Sequence, residues 1–176
     1  MPAYYKAFRS ANLGSSLPNL STELDSVRVY QFEVHFEGMP GVRNPGRLTL
    51  AAKQVSPIGV TVDDILVHRV NEKFYYPGKP TPEEVTITFD DLYNGASRTL
   101  YDWFKSIYDN SDGSITTQKA QKCSIIQLDG DLSVKGSTNM YGVYPKSWKE
   151  SEYNYSTEND FHTIEMTLRC DFADHK

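Results

Sequence analysis

Residues 163–172 read Thr163-Ile164-Glu165-Met166-Thr167-Leu168-Arg169-Cys170-Asp171-Phe172, and every second residue is apolar. Successive side chains of a strand point to opposite faces. Ile164, Met166, Leu168, Cys170 and Phe172 are therefore expected to face a core, with Thr163, Glu165, Thr167, Arg169 and Asp171 turned to water. The same period recurs upstream. Val85, Ile87 and Phe89 alternate with Thr86, Thr88 and Asp90 in a run rich in β-branched residues. Tyr30, Phe32, Val34 and Phe36 alternate with Gln31, Glu33 and His35 in a strand expected over residues 27–37. Further strands are expected at residues 48–55, 122–128 and 140–145. The last two are joined either by a tight reversal at Asp129-Gly130 or by a longer loop that includes Lys135-Gly136-Ser137-Thr138-Asn139.

One segment has the helical period instead. Leu100, Trp103, Phe104, Ile107 and Tyr108 fall on one stripe, Ser97 can cap the start, and Asp109-Asn110-Ser111-Asp112-Gly113 closes it, so a helix is expected over about residues 97–109, covering one face or opening of the sheet. Residues 1–26 are mostly small and polar and cannot form a core alone; Tyr4, Tyr5 and Phe8 would share a face of a short helix that needs something to dock on. Between Pro57 and Pro82, Val60, Val62, Ile65, Leu66, Val67 and Val70 lead out, Asn71-Glu72 offers a reversal, and Phe74, Tyr75 and Tyr76 lead back towards Pro77-Gly78-Lys79-Pro80. These residues fit two readings equally: a pair of core strands, or a hairpin projecting beyond the domain, whose apolar content would then need a partner.

The chain has 176 residues, 39% of them hydrophobic, with 23 acidic and 18 basic side chains. A single domain of that size buries about 70% of its unfolded surface, enough to need no metal or disulfide staple. No second domain or repeat is visible, and the composition excludes a disordered tail and a membrane span. Lys6 and Arg9 interrupt what would be the apolar run of a secretory signal. A net charge of −5 gives no basic footprint for reading nucleic acid. Residues 129–176 hold nine acids and five bases, a local net of −4, which leaves −1 for the first 128.

Chemistry-bearing constellations are missing from the pattern. The acid doublets Asp63-Asp64, Glu83-Glu84 and Asp90-Asp91 point to opposite faces if they lie in strands and so do not form acid–base pairs. His35, His68, His162 and His175 are scattered, and neither Cys123 nor Cys170 has metal-ligand or redox spacing. His35 reads as a surface or cross-strand hydrogen-bonding residue and His162 as a hydrogen-bonded edge residue. The cysteines read as two reduced thiols in strands, which could pair only if those strands are neighbours. Nucleophile elbows and phosphate-cradling glycine loops are absent. The expectation is a protein with no catalytic residue, no cofactor and no metal.

The order of elements resembles the tail tube proteins of contractile-tailed bacteriophages and, more distantly, the tube protein of type VI secretion. The likeness covers nearly the whole chain. It rests on the arm around Ala7-Phe8, the strand up to Glu37, the excursion after Val55-Ser56-Pro57, the strand of Val85 and Phe89, the helix with Asp102-Trp103-Phe104, and the ending Gly142-Val143-Tyr144-Pro145. That ending continues through a Trp- and Tyr-bearing polar stretch to Asn159 and the alternating strand to Phe172. The resemblance implies one domain over residues 1–176, an antiparallel β-sandwich or barrel-like protomer with one flanking helix, forming stacked hexameric rings. Residues 1–26 become an arm and 58–80 a projecting hairpin for ring stacking, with Tyr4, Tyr5, Phe8, Ile65, Val67, Val70, Phe74, Tyr76 and Trp148 at interfaces. Implied partners are further copies of the chain and the sheath, tape measure, baseplate and tail terminator proteins. DNA passes through the lumen without specific recognition, along a wall expected to be rich in Thr and acidic side chains. The implied location is the virion tail, after assembly in the host cytoplasm. Residues 38–45 and the loop before Met140 look longer than the simplest family members need, which fits a surface decoration or a specialised, tube-initiating ring near the baseplate.

Overall fold

A computed structural model describes residues 29–56, 58–93, 95–109, 111–129, 131–155 and 160–176. Tyr4, Tyr5, Phe8 and the rest of the 1–26 segment lie outside the described residues. The fold is mainly β and antiparallel. Nine strands are described: β1 (Phe32–Glu37), β2 (Ala52–Val55), β3 (Val60–Arg69), β4 (Glu72–Pro82), β5 (Val85–Asp90), β6 (Ala120–Leu128), β7 (Val134–Glu150), β8 (Thr163–Arg169) and β9 (Phe172–His175). Two helices, α1 (Gly46–Ala51) and α2 (Ala96–Ile107), accompany them. One sheet runs β1-β6-β7-β8-β5-β2, with β9 added beside β7, and β3 and β4 form a separate two-stranded sheet.

The alternating strands build the core as their period requires. Val34, Phe36, Val85, Ile87, Phe89, Cys123, Met140, Val143, Ile164, Met166 and Leu168 are all buried. Each fully buried Leu, Ile or Phe stabilises the fold by about 1.5–3 kcal/mol relative to exposure. Helix α2 closes this core through Leu100 and Trp103, with Phe104 packed beside them. The Trp103 ring meets Phe36 edge-on at 5.6 Å between centroids, and Phe36 in turn reaches Phe89 at 6.4 Å.

Several local expectations are corrected. The strand expected at 48–55 is instead α1 followed by the short β2. A strand would put Leu48 and Leu50 on one face; the helix buries Leu48 with Ala51 a turn later and leaves Leu50 outside. Pro45, at φ −66 and ψ −21, presets that first turn. Among the described residues there are thus two helices where one was expected. Helix α2 starts at Ala96 on Gly95, whose φ of +81 suits glycine, so Ser97 lies inside the helix and caps nothing. The 38–45 segment is no loose decoration, since Met39 is buried and Val42 packs against the core. The turn between β6 and β7 spans residues 129–133, closed by Asp129 N–H donating to the Ser133 carbonyl at 2.8 Å, while residues 135–139 belong to β7.

The last strand is also broken where the pattern continues. Strand β7 pairs with β6 and β9 along its first part and with β8 along its last. The exchange falls at Gly142, whose φ is +62 and where an added Cβ would collide with the Asp171 carboxylate. Beside it the Asp171 N–H donates to the Tyr141 carbonyl at 3.0 Å, and the chain steps from β8 to β9. The step turns Phe172 outward, where it is 54% exposed and stacks on Tyr141 at 4.9 Å.

Candidate assembly surface

Strands β3 and β4 form a hairpin that is long, apolar and uncovered. Their register pairs Ile65 with Tyr76, Val67 with Phe74 and Arg69 with Glu72, and these pairs share one face. The reversal is at Val70 and Asn71, one residue earlier than the sequence suggests, with Val70 forced to φ +24. Ile65, Phe74 and Tyr76 are 54%, 42% and 52% exposed. The opposite face carries Leu66 against Tyr75, Val62 against Pro80 and Val60 against Pro82. Those residues were part of the excursion in the sequence reading but not of its interface set, and the missing signal was the other phase of the same alternation.

The hairpin has its own local geometry. Between Val62 and Asp64 the register slips, and Gly78 lies so close to the Asp63 carbonyl that a Cβ would stand 2.7 Å from it. At its base the Thr61 hydroxyl donates to Glu83 at 3.0 Å. Pro77, Pro80 and Pro82 deprive β4 of three backbone donors, so that edge is a poor template for another strand. A two-stranded ribbon is marginal in water without packing on a face, so this one points to contacts made through its faces.

The other candidate positions separate. Val70 sits at the hairpin tip, fully exposed. Trp148, paired with Met166 on β8, turns inward, packs on the core and meets Tyr101 edge-on at 5.2 Å. Exposed aromatics do lie nearby, at Tyr153, Tyr155 and Phe161. Tyr153 stacks on His162 at 4.8 Å and His162 Nδ1 stands 3.1 Å from Asp91, beside a cleft of about 570 Å³ that also touches Lys53 and Asp160. His162 is therefore hydrogen-bonded as expected of an edge residue. His35 pairs with Glu33 at 2.9 Å on its own strand, and His175 with Thr138 at 3.0 Å. Both cysteines are free and buried; burial, followed by the neighbouring Cys170, pushes the Cys123 thiol far above its ordinary value, which keeps it protonated and unreactive. Among the described residues no group of His, Cys, Asp or Glu could hold a metal ion, and no helix is long and apolar enough to cross a membrane.

The sheet ends at β1 on one side and β2 on the other. These edges differ: β1 is six residues long and regular, whereas β2 is four residues long with a bulge between Ala52 and Gln54. Among the described residues the sheet therefore ends in a regular strand on one side and a short, bulged one on the other.

Solved structures share this fold. The fold is that of injection-tube proteins. A chain in the PVC sheath–tube complex of an extracellular contractile injection system matches with TM-score 0.70 at 19% identity, over 93% of this chain and 99% of that one. A chain in the baseplate of the anti-feeding prophage gives 0.70 at 13% identity, over 86% and 96%. The SPP1 tail tube gives 0.53 at 11% identity, over 86% and 79%. Neither protein-family models nor curated proteins give a match to the sequence. At these identities the likeness is one of fold.

Proposed function

We propose that this chain is a structural subunit of the inner tube of a contractile tail, with no enzymatic role. Copies associate head to tail into closed six-membered rings, and the rings stack into a hollow tube through which DNA is ejected. Ring closure would pair the regular β1 edge of one copy with the next, removing the edge hazard by assembly. Stacking uses the hairpin face of Ile65, Val67, Phe74 and Tyr76, with the 1–26 arm reaching the adjacent ring. The sheath surrounds the tube, a tape measure protein occupies its lumen during assembly, and baseplate and terminator proteins bound its ends, so the chain belongs in the virion. The observation that carries this reading is the uncovered apolar hairpin on a tube-protein fold.

Purified chain examined by size exclusion and negative-stain microscopy should give rings or tubes. A stable monomer at high concentration would defeat the proposal. Removing residues 1–20 should leave a folded domain that forms no long tubes, and normal tubes from that truncation would remove the arm from the account.

A second reading is a tube from an extracellular injection device that carries no DNA, including its baseplate-proximal first ring. It is favoured by the higher TM-scores of the injection-system and baseplate chains over the phage tube. Intact particles purified with this chain decide the matter: nuclease-protected DNA supports the phage tail, and sheathed particles free of nucleic acid support the device.

A further inference from the structure

We infer that the outward face of β5, β8 and the second half of β7 is the wall of the channel; the inference rests on the tube reading above. The outward residues are fixed by register. Thr86 lies opposite Thr167, Thr88 opposite Glu165, Asp90 opposite Thr163, and on the other side Ser147 opposite Thr167 and Lys149 opposite Glu165. Thr86 and Thr167 hydroxyls are hydrogen-bonded at 3.3 Å. Apart from Tyr144, opposite Arg169, no large side chain with apolar surface stands on this register, so the face is stable against water and offers little to a protein partner.

Its charges are compensated locally. Lys53 pairs with Asp90 at 3.1 Å, Arg169 with Glu84 at 2.8 Å and Lys146 with the same carboxylate at 2.5 Å, while Lys149 stands directly across from Glu165. The wall is thus hydroxylated, and its four cations, Lys53, Lys146, Lys149 and Arg169, are set against three carboxylates, Glu84, Asp90 and Glu165. Pairing of the cations favours passage: a polyanion held by even a few unpaired cations per ring would meet them again in every ring of the tube.

The alternative wall is the outward face of β1, β6 and β9, which carries Glu33, His35, Glu37, Lys122 and Asp174 but also exposed apolar surface. There the Tyr141–Phe172 stack and Ile126 lie beside Ser124 and Asn139, a buried polar pair bonded to each other at 2.9 Å. That face has apolar surface to cover and suits a contact between proteins.

Single cysteines test the assignment, because both native thiols are buried. Thr88→Cys and Glu165→Cys, on two different strands, would be reacted with a small maleimide and with a maleimide on a long polyethylene-glycol chain, before and after tubes form. Both variants should react with both reagents as free subunits. In tubes they should lose reaction with the long reagent and keep it with the small one, which reaches a lumen from the ends. Retained reaction with the long reagent would place the face outside, and loss of both reagents, or variants that fold without assembling, would place it in a contact between copies; either result overturns the inference. Absence of tubes from the unsubstituted chain would instead defeat the tube reading itself.

Discussion

Strand β5 and the β3–β4 hairpin are neighbours in the chain and similar in residue type, yet they have opposite fates. In β5 the apolar residues occupy one phase, Val85, Ile87 and Phe89, and all three are buried, while Thr86, Thr88 and Asp90 take the other. In the hairpin both phases are apolar: Ile65 and Val67 on one, Val62 and Leu66 on the other. A strand with one apolar face is satisfied by a single core. A ribbon with two apolar faces and a proline-bearing edge is satisfied only from outside, which in the proposed tube would be another copy.

Breaking the hairpin is expected to have the largest consequence. Replacing Ile65 and Phe74 together by Asp puts two charges on the proposed stacking face, so tubes should disappear from micrographs altogether. The domain itself should unfold within about 0.5 kcal/mol of the unsubstituted chain in urea, as surface changes do. Tubes of normal length from this variant would end the hairpin's role.

The core pair should behave in reverse. Trp103→Ala removes a fully buried indole that bridges α2 to Phe36. A loss of about 3–5 kcal/mol in denaturant titration is expected, and assembly should fail because the subunit fails. A variant that unfolds like the parent would mean that α2 is not part of the core.

A smaller effect marks the bend. Gly142→Ala adds a methyl at positive φ, directly against Asp171, and should cost about 1–3 kcal/mol. Hydrogen exchange should locate the loosening at the β8–β9 step, and uniform protection there would show that the strands exchange partners without needing glycine.

These contrasts also explain what the sequence made legible. Strands β5 and β8 and the stripe of α2 were readable because one local period decides each of them. The helix at Gly46–Ala51 was misread because Leu48 and Leu50 fit a strand period over so few residues, and only the packing of Leu48 with Ala51 decides between them. Phe172 was misplaced because the break before it depends on Gly142, a partner roughly thirty positions earlier that no local pattern names. Within the candidate surface, the shared face of Ile65, Val67, Phe74 and Tyr76 follows from alternation about a turn that the sequence placed one residue late. The inward turn of Trp148 came from its pairing with Met166, which is a fact of sheet order, not of periodicity.

The smallest effect concerns pH and falls on the core side of the contrast. The Glu84 carboxylate accepts hydrogen bonds from Lys146 and Arg169, tying the start of β5 to β7 and β8. The bond from Lys146, opposed by some desolvation and helped by the charges of Lys146 and Arg169, holds its pKa below the ordinary 4.5. A carboxyl with a lowered pKa in the fold stabilises only while it is ionised. The contribution is therefore complete above pH 4.5 and is lost as pH falls through the lower folded-state value. Glu84→Gln should melt slightly below the parent at neutral pH, and the two melting curves should converge in acid. A gap that stays constant down to low pH would show that Glu84 acts by packing and not by charge. The group is solvent-accessible, so the gap should also narrow with added salt.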